Sequence, residues 1–115
     1  MLGQEQTGGK IVFISDTRFF PELVGYCQGA MCVVSEATYL EKDQSLAREW
    51  GHLTAKEAAI VARDAGAHML LLTHLSGRYP EDLILAESRS VFADARLCRD
   101  LERISLDLAP KQVGA

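Results

Sequence analysis

No stretch of this sequence stays apolar for longer than a β-strand, so no helix in it is expected to span a membrane. No CxxC pair occurs. The three cysteines, Cys27, Cys32 and Cys98, are odd in number, and Cys32 lies in an apolar run. That usage argues for reduced structural thiols rather than a disulfide frame or metal ligands. Basic residues are not in excess. The formal net charge of −4 argues against tight nucleic-acid binding through bulk electrostatics and leaves only a local basic patch open. A Gly-rich phosphate loop is absent, because Gly8-Gly9 runs into Lys10-Ile11 and lacks the Lys-Ser/Thr that would follow it. The polar, Gly-rich start has no apolar segment of the secretory kind, so a cytoplasmic location is expected. No internal repeat, low-complexity tract or domain linker is visible.

What is present fits one domain, or part of a larger one: 115 residues, 48% hydrophobic. Residues 1–9 read as a flexible start. An apolar run over 10–16 reads as a buried strand, and 19–28 as a short helix with Pro21 in its first turn and Gly29 at its stop. A second strand is expected over 31–37. The long polar connection 38–53 is expected to hold a helical turn near 44–49, and a loop of that length is often functional. Thr54-Ala55-Lys56-Glu57 is a capping box, followed by Ala58, Val61, Ala62 and Ala65 at helical spacing and Gly66 as the stop. The continuous run over 68–74 predicts a third strand buried on both faces. A helix follows over 82–92, then weaker strands over 95–100 and 102–108. The tail 110–115 reads as flexible. The order β-α-β-α-β-α-β predicts an α/β layer structure with a mainly parallel sheet.

The chemistry collects at strand ends, which is where open α/β sheets bind ligands. Asp16, Glu36 and His74 each close an apolar run, and His52 precedes the capped helix. A carboxylate at Asp16 can bind or bridge metal ions, and an imidazole at His74 is a common zinc ligand. His52 can act as a mobile proton donor, and Glu36 beside it would orient the ring. Each has a plainer alternative: a cap for Asp16, a hydrogen-bonded strand end for His74, a solvated loop for His52, and an ion pair with Lys or Arg for Glu36. His68 opens its strand and is expected at the far end of the sheet. Trp50 and Tyr39 read as loop anchors rather than base-stacking platforms.

Four motifs then stand in order: SDTR at 15–18, SEAT at 35–38, GHLTAKEAA at 51–59 and LTHLSGRY at 72–79. Together, at matching intervals over about 10–108, they resemble the C-terminal part of ribonuclease Z, the tRNA 3′-processing endonuclease of the metallo-β-lactamase superfamily. The resemblance implies the C-terminal half of an αββα sandwich over 10–109 and zinc-dependent hydrolysis of a phosphodiester. It implies two zinc ions in the complete site, with Asp16 bridging them and His74 binding one. His52 and Glu36 would be the catalytic pair assisting proton transfer to the leaving 3′ oxygen. Ser76 and Arg78 would contact substrate phosphate.

The departures are specific. Ser15, Ser35 and Leu53 replace the family's Gly, His and Ser, and the H-x-H-x-D-H metal motif does not occur in this chain. This chain would therefore supply only part of the ligands. It would need an N-terminal half or a second subunit, and would be inactive alone. A missing half-sandwich would leave an apolar sheet face exposed, so a homodimer is expected. Two other readings share these residues: another metallo-β-lactamase-fold hydrolase acting on small phosphodiesters or aryl esters, and a non-catalytic α/β assembly module.

Overall fold

The computed structural model describes residues 2–6 (backbone only), 10–14, 17–37, 39–73 and 78–98. Four parallel strands form its centre: β2 Lys10–Ile14, β3 Cys32–Glu36, β4 Met69–Thr73 and β5 Ala95–Leu97. A fifth strand, β1 Leu2–Gln6, pairs antiparallel with β2. The flexible start expected over 1–9 is thus corrected at residues 2–6, because the edge of β2 gives this polar segment a ladder to complete, while residues 1 and 7–9 lie outside the described residues. The strand order is sequential, β1-β2-β3-β4-β5. Right-handed crossovers between successive parallel strands put their helices on one side. The buried residues of α1 Glu22–Cys27, α3 Ala55–Ala65 and α4 Glu81–Arg89 accordingly share one core with Val12, Ile14, Val33, Leu70 and Leu72.

Helix boundaries follow local chemistry. α1 begins later than the residue-19 start expected from sequence. Phe20 precedes Pro21, which disfavours helical backbone there, and both Phe19 and Phe20 pack on the core instead. α3 matches its sequence reading. Thr54 Oγ1 accepts from Glu57 N at 3.0 Å, Thr54 N donates to Glu57 Oε1 at 3.0 Å, and Gly66 ends the helix at φ +73°. Ala55, Ala58, Ala59, Ala62 and Ala65 are all buried, so the helix lies close on the sheet. The connection 38–53 is more ordered than expected. It holds a 3-10 turn, Glu41–Asp43, and α2 Gln44–Trp50, anchored through buried Leu40 and Ala47. The expected strand over 102–108 and the tail 110–115 lie outside the described residues.

The second sheet face carries Ile11, Cys32, Val34 and Leu71, none more than 8% exposed. The exposed apolar face expected from sequence is therefore not seen at these positions. The side chains of Phe13, Met31, Met69 and Cys98 pack against these four. Cys27 and Cys32 are buried and Cys98 is half-buried, and none of the three is in a disulfide.

Candidate functional site

The register levels the strand ends. Ile14, the last residue of β2, lies beside Ser35, and Ser35 lies beside Leu72. Glu36 then pairs with Thr73, the last residue of β4, and Ala37 N donates to Thr73 O at 3.2 Å. Parallel pairing has thus brought three chain exits to one edge, the edge expected to carry the chemistry.

Glu36 and His52 meet there. His52 Nδ1 lies 3.1 Å from Glu36 Oε2, with side chains 26% and 12% exposed. The sequence expectation that the two would pair is met. The His52 backbone is held on both sides. Gly51 takes a left-handed φ of +73°, which glycine adopts without steric cost, and ends α2 by donating to Ala47 and Arg48 carbonyls. His52 N donates to Ala47 O at 2.8 Å, the longer closing bond of such a helix end. Leu53, next in line, is 2% exposed in the core, and Thr54 caps α3. Two residues between two helix ends leave the His52 backbone little freedom. Leu53, a departure by sequence, is the apolar pin of this link. Ser35 is fully buried, and its hydroxyl donates to Glu36 O at 3.0 Å.

A ring of contacts surrounds the pair. The Tyr39 and His52 ring centroids are 6.1 Å apart with planes tilted by 41°. The Arg78 guanidinium carbon lies 5.4 Å from the Tyr39 centroid, and Lys42 Nζ lies 5.7 Å from that of Tyr79. The Tyr79 hydroxyl donates to the Asp43 carboxylate. Burial and that bond hold the phenol above its ordinary value. Tyr39 is an anchor, as read from sequence, at 8% exposure. Trp50 is not: it stands 65% exposed at the end of α2, where the turn at Gly51 leaves it outside the core. His68 is exposed at the start of β4, at the opposite end of the sheet from Glu36.

Asp16, His74 and Ser76 lie outside the described residues. Among the described residues no group of three or more His, Cys, Asp and Glu could hold a metal ion, so these residues do not by themselves fit a metal centre. Reading by motif missed Asp43, Glu41 and Glu87, and it gave Lys56 no role beyond its place in the capping box. Glu87 Oε2 accepts from Glu41 N and Lys56 N, both at 3.0 Å, tying α4 to the 3-10 turn and to the start of α3. No short-range pattern marks that role. Only Tyr79, inside LTHLSGRY, carried a signal.

Residues 2–75 match a family model described as a beta-lactamase superfamily domain. Ribonuclease Z of Bradyrhizobium sp. strain ORS 278 is 42% identical over 106 residues, covering 92% of this chain and 35% of that protein. Ribonuclease Z of Brevibacillus brevis is 42% identical over 113 residues, covering 91% and 35%. The chain therefore spans about a third of the length of these curated relatives. Among solved structures, the short form of human tRNase Z superposes with a TM-score of 0.61 at 28% identity, over 84% of this chain and 33% of that one. A metallo-beta-lactamase fold protein from Bacillus subtilis superposes with a TM-score of 0.79 at 23% identity, over 85% and 40%, and so speaks to the fold alone. With a levelled strand-end edge, a His-Glu pair at that edge and a family match over residues 2–75, this chain belongs to the beta-lactamase superfamily, and over nine-tenths of its length it is similar to ribonuclease Z.

Proposed function

We propose that this chain supplies the C-terminal part of a zinc-dependent endoribonuclease of the ribonuclease Z type, acting in 3′-end maturation of tRNA precursors in the cytoplasm. The observation that carries the reading is the His52–Glu36 pair, held at 3.1 Å beside the end of β3 in a chain similar to ribonuclease Z. A carboxylate on Nδ1 fixes the tautomer and ring orientation and stabilises the protonated imidazole. The other nitrogen, Nε2, has no hydrogen-bond partner among the described residues. It is the atom that hands a proton to the leaving 3′ oxygen.

Asp16 and His74 are the proposed metal ligands, following β2 and β4 in sequence as Ala37 follows β3. The proposal rests on their donor chemistry, a bridging-capable carboxylate and an imidazole. Arg78 and Ser76 are proposed to contact substrate phosphate, and Arg78 is exposed beside Tyr39. The remaining ligands come from an N-terminal part of the domain or from a second subunit, and the assembled enzyme is a homodimer.

The test is cleavage of a tRNA precursor with zinc present, by the chain alone and mixed with the N-terminal portion of a ribonuclease Z relative. No product is expected from the chain alone, and cleavage at the 3′ end from the mixture. His52→Gln should reduce that cleavage by about 10²-fold or more, the usual scale of general acid catalysis. Efficient cleavage by the chain alone would sink the claim of incompleteness. Undiminished cleavage with His52→Gln would sink the role of the pair.

A further inference from the structure

A single hydrogen bond fixes one point of an imidazole, not its plane. The bond from His52 Nδ1 to Glu36, with the covalent link at Cβ, still tolerates some tilt of the ring. A second contact is needed if Nε2 is to point one way, and Tyr39 offers it. We infer that Tyr39 is a positioning residue for His52: its ring sets the imidazole plane, and Arg78 in turn holds the Tyr39 ring. The inference rests on the reading of His52 and Glu36 as the proton-transfer pair.

Three observations carry it. The Tyr39 and His52 centroids lie 6.1 Å apart at a 41° tilt, within the range over which aromatic rings attract each other. The two residues are also tied through the backbone. Tyr39 forms a parallel bridge with Thr54, and its carbonyl accepts from Ala55 N at 2.8 Å, so the chain just after His52 is stitched to Tyr39. The ring is 8% exposed and carries the Arg78 guanidinium at 5.4 Å, a cation–π contact that an aliphatic side chain of the same bulk could not make. Packing alone would be served by Leu. An aromatic that meets both a permanent cation and an imidazole does more than fill space. The Tyr39 hydroxyl has no hydrogen-bond partner among the described residues, so the ring itself is the working part.

The consequence is readable without any cleavage assay. With its plane set and Glu36 on Nδ1, neutral His52 should carry its proton on Nδ1 only. The 115-residue chain, labelled with 15N at histidine, is examined by long-range 1H–15N correlation at about pH 8, above the ordinary imidazole range. His52→Gln identifies the resonances. Wild type and Tyr39→Phe should both show widely separated ring nitrogens for His52, with Nδ1 protonated. In Tyr39→Leu the separation should shrink by more than half as the two tautomers mix, and in Arg78→Gln by a smaller amount.

A full separation in a natively folded Tyr39→Leu chain overturns the inference. So does an equal loss in Tyr39→Phe. Should Tyr39→Leu fail to fold, Arg78→Gln decides, because position 78 is exposed: an unchanged separation there overturns it. A wild-type His52 without the Nδ1–H tautomer removes the Glu36 pairing and this inference together. The predicted tautomers throughout, with cleavage indifferent to His52→Gln, remove the functional reading and leave the positioning geometry intact.

Discussion

A polar group that is 12% exposed needs a partner, and Glu36 has the His52 imidazole at 3.1 Å. The same arithmetic governs Glu57, 6% exposed. Its two oxygens take Thr54 N at 3.0 Å and Gln44 Nε2 at 3.1 Å. Buried thiols solve the problem the other way, by staying neutral. Burial pushes Cys27 up to about 11 and Cys32 up to about 12 from an ordinary 9.0, with Asp94 adding to the rise at Cys32. Because the folded chain holds these protons more tightly than the unfolded chain, their contribution to stability is complete below pH 9. It is lost as pH rises through 11 and 12. Denaturant midpoints should therefore fall over that window, and Cys27→Ala with Cys32→Ala should flatten the fall. At pH 8 a thiol reagent should label at most Cys98 in the native chain and all three cysteines after unfolding. The pairing of Glu36 with His52 was legible from residue type and strand position. The seating of the His52 backbone was not, because it depends on Leu53 entering the core.

Two restraints at element ends differ in how far apart their partners lie in the chain. The capping box of α3 was readable because its partners are three positions apart. The Glu87 clasp was not readable, because its partners lie 31 and 46 positions away and its carboxylate looks like any exposed helical Glu. Removing each should separate the two kinds of restraint. Thr54→Ala should cost about 1–2 kcal/mol, since the cap is buried. Glu87→Ala should cost about 1 kcal/mol, because water can replace part of what its exposed bonds supply. Chemical denaturation measures both. Glu87→Ala should also speed amide exchange at Glu41 and Lys56, and unchanged exchange there would count against the clasp. α1 shows a local rule overriding a pattern: the apolar residues before Pro21 join the core, but not as helix.

At the scale of the whole molecule, the described helices α1, α3 and α4 share one core on one sheet face, and among the described residues no helix packs on the second face. In a chain that spans about a third of its relatives, that geometry suits a site shared with further residues. Zinc should then raise the melting temperature of the chain alone by little, because few ligands give a weak Kd and stabilisation grows only as the logarithm of occupancy. Adding an N-terminal portion of a relative should enlarge the shift, and Asp16→Ala combined with His74→Ala should remove it. A large zinc shift in the isolated chain, unaffected by that double change, would place the metal elsewhere. Periods of two and 3.6, the caps and the Gly stops are local, so the sequence by itself determined β2, β3 and β4, the capped helix and the α/β class. The same holds for the order of the motif residues, which needs no coordinates. Only the tertiary structure decided the level register of β2, β3 and β4, the pairing of β1 and the clasp by Glu87. It also decided the seating of His52 between two helix ends. Each of these joins residues far apart in the chain, and such contacts form only when burial of the shared core outweighs the entropy of closing the loops between them.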